Sequence, residues 1–173
     1  LRSNGYRKYE ISNYSKPGKE CKHNIGYWQR KEYLGFGIGA ASLYKENRYN
    51  NISDINKYIE VLTNNIKENS INNVENSSEV ENQVNILNSI VKNLQQLTER
   101  DRMEEFMFLG LRMMEGVSME KFERYFGKPY MEVYGKVQKK MEDKRFLIND
   151  NGYVKLTEFG IDLSNYVMSE FLF

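Results

Sequence analysis

The chain has 173 residues, 40% of them apolar, with 25 Lys and Arg against 24 Asp and Glu. That is a globular composition; its apolar runs fall far short of the roughly 20 residues a membrane helix needs. The balanced charge gives no general attraction to nucleic acid or to an anionic membrane. One cysteine and one histidine exclude an internal disulfide framework and a zinc or iron–sulfur site built from these residue types alone. A reducing, cytoplasmic setting is expected. No positive stretch followed by an apolar core suggests a secretory signal, and the start at Leu1, in mid-pattern, reads as part of a longer protein.

Residues 1–50 are rich in tyrosine and glycine. Short β-like runs, Tyr9–Ser12 and Gly35–Leu43, are separated by Lys16-Pro17-Gly18, a turn signal because proline fixes φ and glycine tolerates positive φ. Ser53 is a plausible N-cap for a helix carrying Ile55, Ile59 and Leu62. Asparagine then takes ten of the thirty residues from Asn64 to Asn93. Its side chain competes for the backbone, so a loop is expected over 65–79. Val80, Val84, Leu87, Val91 and Leu94 follow at the spacing of an amphipathic helix.

Beyond residue 97 the signals sharpen. Thr98, with Asp101 three residues on, predicts a helix start. The apolar stripe of Phe106, Met107, Leu109, Leu111, Met113 and Met114 carries that helix to Gly116. Ser118 caps a short helix with Phe122, Tyr125 and Phe126, and Gly127 stops it. Pro129 suits the first turn of a third helix, whose expected buried face is Val133, Val137 and Met141. Phe146–Ile148 and Tyr153–Leu156 read as a hairpin through Asp150-Asn151-Gly152. Thr157 caps a last helix with Ile161, Leu163, Tyr166, Val167 and Phe171. Three helices, a hairpin and a helix make a winged-helix-like module. From Lys128 onward it carries seven basic and seven acidic residues. A DNA reader needs a basic surplus to displace counterions from phosphates, so a structural or docking role is favoured over nucleic-acid binding.

Two stretches could carry chemistry. Gly35, Gly37 and Gly39 alternate, which on a strand puts them on one face. Such a bare face is either a ligand floor or a close packing surface. The spacing is neither a dinucleotide fingerprint nor a phosphate-binding loop. The second stretch, Cys21 to Trp28, holds the chain's only cysteine, histidine and tryptophan. Imidazole and phenolate ligate haem iron, and tryptophan stacks on flat rings; a surface or hydrogen-bonded histidine is the plainer reading. Nothing but Lys19 and Lys22 would activate Cys21, which is expected to be inert.

Tyr9-Glu10-Ile11-Ser12-Asn13-Tyr14, Pro17-Gly18, His23-Asn24-x-x-Tyr27-Trp28 and Tyr33-Leu34-Gly35-x-Gly37-x-Gly39-Ala40 together resemble the oxygen-independent coproporphyrinogen III oxidase-like family of radical S-adenosylmethionine proteins. Glu105-Phe106-Met107-x-Leu109-Gly110-Leu111-Arg112, Gly116-Val117, Phe122-x-x-x-Phe126-Gly127 and Leu156-Thr157-x-x-Gly160-x-x-Leu163-Ser164-Asn165 resemble that family's C-terminal domain. The Asn-rich stretch does not match and looks like an insertion.

The resemblance implies an α+β chain: the last strands of a partial β/α barrel over 1–64, an Asn-rich linker with a helix over 65–97, and a mostly helical winged-helix-like domain over 98–173. It implies a haem chaperone that passes haem to an acceptor protein, because His23, Asn24 and Tyr27 fit the H-N-x-x-Y haem signature of that branch. His23 would then be the candidate ligand of haem iron. Gly35, Gly37, Gly39 and Ala40 would form a wall of the cavity on the S-adenosylmethionine side. The family's [4Fe–4S] cluster needs C-x-x-x-C-x-x-C, so cluster and S-adenosylmethionine would belong to a part this chain does not contain, and the chain alone is expected to be inactive. Truncated barrel strands predict self-association through residues 1–50. The alternatives are true coproporphyrinogen III oxidation to protoporphyrinogen IX and, from another class, a winged-helix nucleic-acid module.

Overall fold

The computed structural model describes residues 1–71 and 89–173, with backbone alone over 65–71. The expected positions Val80, Val84 and Leu87 lie outside the described residues. By internal contacts the chain divides into two units, one made of Leu1–Lys31 with Thr98–Phe173 and the other of Glu32–Leu97. All pairing between strands in the described residues is antiparallel.

The first unit opens with a two-stranded ribbon, β1 (Arg7–Lys8) and β2 (Tyr14–Ser15). Tyr9–Asn13 form its turn, where a longer β-run was expected. Pro17-Gly18 makes the anticipated turn, with Gly18 at φ 76°. α1 (Lys22–Trp28) follows. The grouping of residues 1–31 with the C-terminal residues departs from the expected 1–64 segment, and backbone hydrogen bonds explain it. Ile11 N–H donates to Arg112 O (2.9 Å), Met114 N–H donates to Tyr9 O (3.1 Å), and Glu10 bridges Met113.

α3 (Glu99–Gly110) starts with a full capping box between Thr98 and Asp101. The Thr98 hydroxyl and backbone N–H hold the Asp101 carboxyl below the usual carboxylate range. The helix ends at Gly110, six residues before the expected Gly116, because Arg112–Met114 turn away to pair with Tyr9–Ile11. β6 (Val117–Ser118) leads into α4 (Met119–Phe126), capped by Ser118 and stopped by Gly127 at φ 65°. α5 (Tyr130–Asp143) begins just after Pro129. Its buried positions are Tyr130, Tyr134, Gly135, Gln138 and Met141; Val133 and Val137, expected there, flank the core half-buried. β7 (Leu147–Asp150) and β8 (Tyr153–Leu156) form the predicted hairpin, and β6 adds to β8 in a three-stranded sheet. The last helix is broken into α6 (Glu158–Asp162) and α7 (Ser164–Ser169), because Leu163 leaves helical geometry at φ −112°, ψ 25°. Val167, Met168 and Phe171 are buried, whereas Leu163 and Tyr166 are exposed.

This unit has an aromatic core centred on Phe122, whose ring meets those of Phe106, Phe126, Tyr130 and Tyr134 within 5.7 Å. The Tyr130 and Tyr134 hydroxyls are buried with no hydrogen-bond partner among the described residues. Burial pushes both phenols well above the usual tyrosine value. The folded chain therefore keeps both protons above about pH 10, where exposed tyrosines of the unfolded chain ionise. There the folded state binds more protons, so stability is complete below pH 10 and falls as pH rises beyond it. Urea midpoints between pH 9 and 11.5 should fall steadily, and Tyr130→Phe should flatten the fall. A midpoint independent of pH across that range contradicts this account.

In the second unit, β3 (Ala41–Tyr44), β4 (Asn47–Asn51) and β5 (Val91–Gln96) form a sheet in that order. Lys45 and Glu46 join β3 and β4, both at positive φ (47° and 59°), as a two-residue type I′ turn requires. β5 replaces the C-terminal end of the expected 80–94 helix. Pairing along β4 outweighs the helical spacing of Val91 and Leu94. Asn93, at φ 54°, marks a bulge opposite Tyr49. α2 (Ile55–Ile71) is capped by Asp54, whose Oδ1 accepts the Lys57 N–H at 3.0 Å, and not by Ser53. It continues through 65–71 where a loop was expected. Adding residues to a formed helix is far easier than starting one, and that outweighs the weak preference of asparagine. Among the described residues of this unit, Leu43, Ile52, Ile90 and Leu97 are the buried apolar ones.

Candidate functional site

α1 is short and lacks a side-chain cap, so tertiary ties must hold it. The Trp28 indole lies under the Arg112 guanidinium, 4.3 Å from ring centre to cation. Arg30, just past the helix, pairs with Glu105 on α3 at 2.8 Å. Asn24 Nδ2 reaches the Tyr9 hydroxyl at 3.5 Å. These contacts fix a helix whose other side is open to solvent.

His23 and Tyr27 stand one turn apart on it, at the i, i+4 spacing that makes helix neighbours. Their rings meet edge to face, centroids 4.6 Å apart and planes at 79°. His23 is exposed, Tyr27 and Asn24 half-buried, and Cys21, just before the helix, is exposed. An exposed imidazole braced by a ring beneath it suits an axial haem ligand, which must present one ring nitrogen to iron and hold its plane. Among the described residues no three His, Cys, Asp or Glu gather into a metal-binding group, and no helix is long and apolar enough to cross a membrane.

Gly35, Gly37, Gly39 and Ala40 belong to the second unit and form a loop, not the expected strand. Positive φ at Gly37 (94°) and Gly39 (66°) breaks the alternation a strand would need. Asn51 holds the loop, its Nδ2 donating to Gly35 O (3.1 Å) and Gly37 O (2.8 Å). Gly35 N–H donates to Ser42 Oγ, and a Cβ at Gly35 would lie 2.2 Å from Ala41 O. Within this unit the glycines therefore serve a tight turn and a close backbone approach. Asn51, which sequence reasoning did not single out, organises it.

Residues 97–163 match the family model of the HemN C-terminal domain. The chain is 33% identical over 172 residues to the heme chaperone HemW of Lactococcus lactis, an alignment covering 99% of this chain and 39% of that protein. It is 30% identical to the heme chaperone HemW of Bacillus subtilis, covering 99% of this chain and 40% of the relative. The chain thus spans about two-fifths of the length of these relatives. Among solved structures it resembles the radical SAM enzyme coproporphyrinogen III oxidase (HemN) of Escherichia coli, with a TM-score of 0.66 and 13% identity over 99% of this chain and 38% of that one. That likeness shows a shared fold, and the α+β class follows with it. By its domain match over residues 97–163 and its sequence along nearly its whole length, the chain is similar to the heme chaperone HemW proteins, and it shares its fold with HemN.

Proposed function

We propose that the protein containing this chain is a cytoplasmic haem chaperone that binds haem and passes it to an acceptor protein. The observation that carries the proposal is the pairing of exposed His23 with Tyr27 on one face of a tethered helix, at the H-N-x-x-Y positions. The names of the relatives from L. lactis and B. subtilis point the same way. Bound haem would supply an iron that takes a nitrogen ligand. His23 offers that nitrogen, Tyr27 fixes the imidazole plane, and Asn24 ties the helix to Tyr9. Any [4Fe–4S] cluster and S-adenosylmethionine would be held by the rest of the protein, with the Gly35–Ala40 loop as one wall of that cavity. The even charge of residues 128–173 argues against nucleic acid.

Haem titration of this chain tests the proposal. His23→Ala should shift the Soret band and weaken haem binding. Losing a partner of a metal ligand costs about 10–100-fold in affinity, and losing the ligand costs no less. His23 is exposed, so circular dichroism of the variant should match the parent. Tyr27→Phe keeps the ring brace and should change the spectrum little. An unchanged Soret band and affinity in His23→Ala would falsify the assignment.

A further inference from the structure

We propose that a cleft of the first unit, between α1, α3 and α4, seats the carboxylate-bearing edge of a flat tetrapyrrole; this rests on the haem reading above. The cleft encloses about 370 Å³, inside the roughly 300–1,000 Å³ of small-molecule sites. It begins at Trp28, the last residue of the helix that carries His23. Three further rings line it, Phe106, Tyr125 and Tyr153. Rings cover flat apolar ligands at low cost in side-chain entropy. Trp28 is fixed by Arg112 on one face, and the Tyr125 hydroxyl accepts from Arg30 at 3.4 Å.

The charge of the lining selects the ligand's polar part. Arg30, Lys31, Lys121 and Arg124 face it, against Glu115 as the one acid in the lining. Glu105 answers Arg30, and Glu120 answers Arg124. Lys31 and Lys121 remain against Glu115, both exposed at the cleft. An aromatic trough with two lysines matches a molecule that is flat and apolar in its body and carboxylated at one edge. A tetrapyrrole with propionate side chains has that chemistry. A plain apolar peptide would leave the lysines without a partner, and a free phosphate would leave the rings bare.

Trp28 is the only tryptophan, so the chain gives a single indole N–H resonance located in the cleft. The probe is metal-free coproporphyrin III, which bears carboxylates and has no iron for His23 to hold. Adding it should shift the indole resonance saturably. The double variant Lys31→Glu, Lys121→Glu should weaken binding roughly tenfold, since exposed charge contacts are individually modest and reversal turns two attractions into repulsions. Both lysines are exposed, so the variant's fold should hold. Porphyrin binding that leaves the indole unmoved, or equal affinity in the double variant, overturns the cleft while a positive Soret titration keeps the haem reading. If neither porphyrin nor haem binds the parent chain, both proposals fall.

Discussion

Gly160→Ala should lower the stability of the chain by about 3 kcal/mol, the upper end of what overpacking costs. Gly160 sits in the first turn of α6, and a Cβ there would lie 2.0 Å from the carbonyl oxygen of Phe146. Neither side can retreat. The Phe146 carbonyl accepts the Thr157 N–H at 3.0 Å, and the Thr157 hydroxyl, 2.7 Å from Arg145 O, caps α6 by accepting the Gly160 N–H at 2.9 Å. The added methyl must push α6 off the start of β7, and Phe146 itself stacks on Phe159 in the same helix. A fall of roughly 10 °C in thermal midpoint is expected for a chain of this size. Gly135→Ala is the control. The tightest contact of its new methyl would be the flexible end of Met131, at 3.1 Å. Alanine also favours a helix interior by up to about 1 kcal/mol. Equal midpoints for Gly160→Ala and the parent would refute the packing account.

That glycine shows why some features were legible in the sequence. The Leu156-Thr157-x-x-Gly160 pattern belongs to the family resemblance, and its cap is local, Thr157 to Gly160, whereas the close approach that requires the glycine is to Phe146, fourteen residues earlier. The caps at Thr98 and Ser118, the stop at Gly127 and the Asn151-Gly152 turn, at φ 52° and 82°, are local in the same way. The β3–β4 hairpin was missed because Lys45-Glu46 adopts a type I′ turn without the asparagine or glycine that signals one. β5 was read as helix because its reason lies in β4, some forty residues earlier. The glycine loop misled because alternation fits a strand equally well, and only the grip of Asn51 distinguishes them. At the candidate site, the H-N-x-x-Y spacing was legible as a signature, but the helix that sets His23 and Tyr27 one turn apart was not. The cleft beside them draws on residues 28–31, 106–125 and 153, an assembly no local pattern encodes.

Replacing Glu10 with alanine should be nearly as damaging and should report on how α1 is held. Glu10 is fully buried, Oε1 accepting the Ser12 N–H at 3.0 Å and Oε2 3.9 Å from Arg112 Nη2. Arg112 in turn covers Trp28. A chain of three side chains thus runs from the N-terminal segment, through the turn after α3, to the end of the helix carrying His23. Alanine removes the acceptor of an N–H and the counter-charge of a mostly buried guanidinium together. Breaking a buried pair by removing one partner costs about 3–5 kcal/mol; the long separation and the partial exposure of Arg112 place this case near 3. Glu10→Gln keeps an acceptor for Ser12 and loses only the charge, so it should fall between parent and alanine variant. The emission of Trp28, the sole tryptophan, should move to the red in Glu10→Ala as Arg112 loosens over the indole. Glu158→Ala removes an ion pair whose side chains are 82% and 89% exposed, and should change nothing measurable. If Glu10→Ala behaves like Glu158→Ala in urea unfolding and in emission, the buried carboxylate does not hold the helix. The anchoring of α1 would then rest on the Arg30–Glu105 pair and the Asn24–Tyr9 contact.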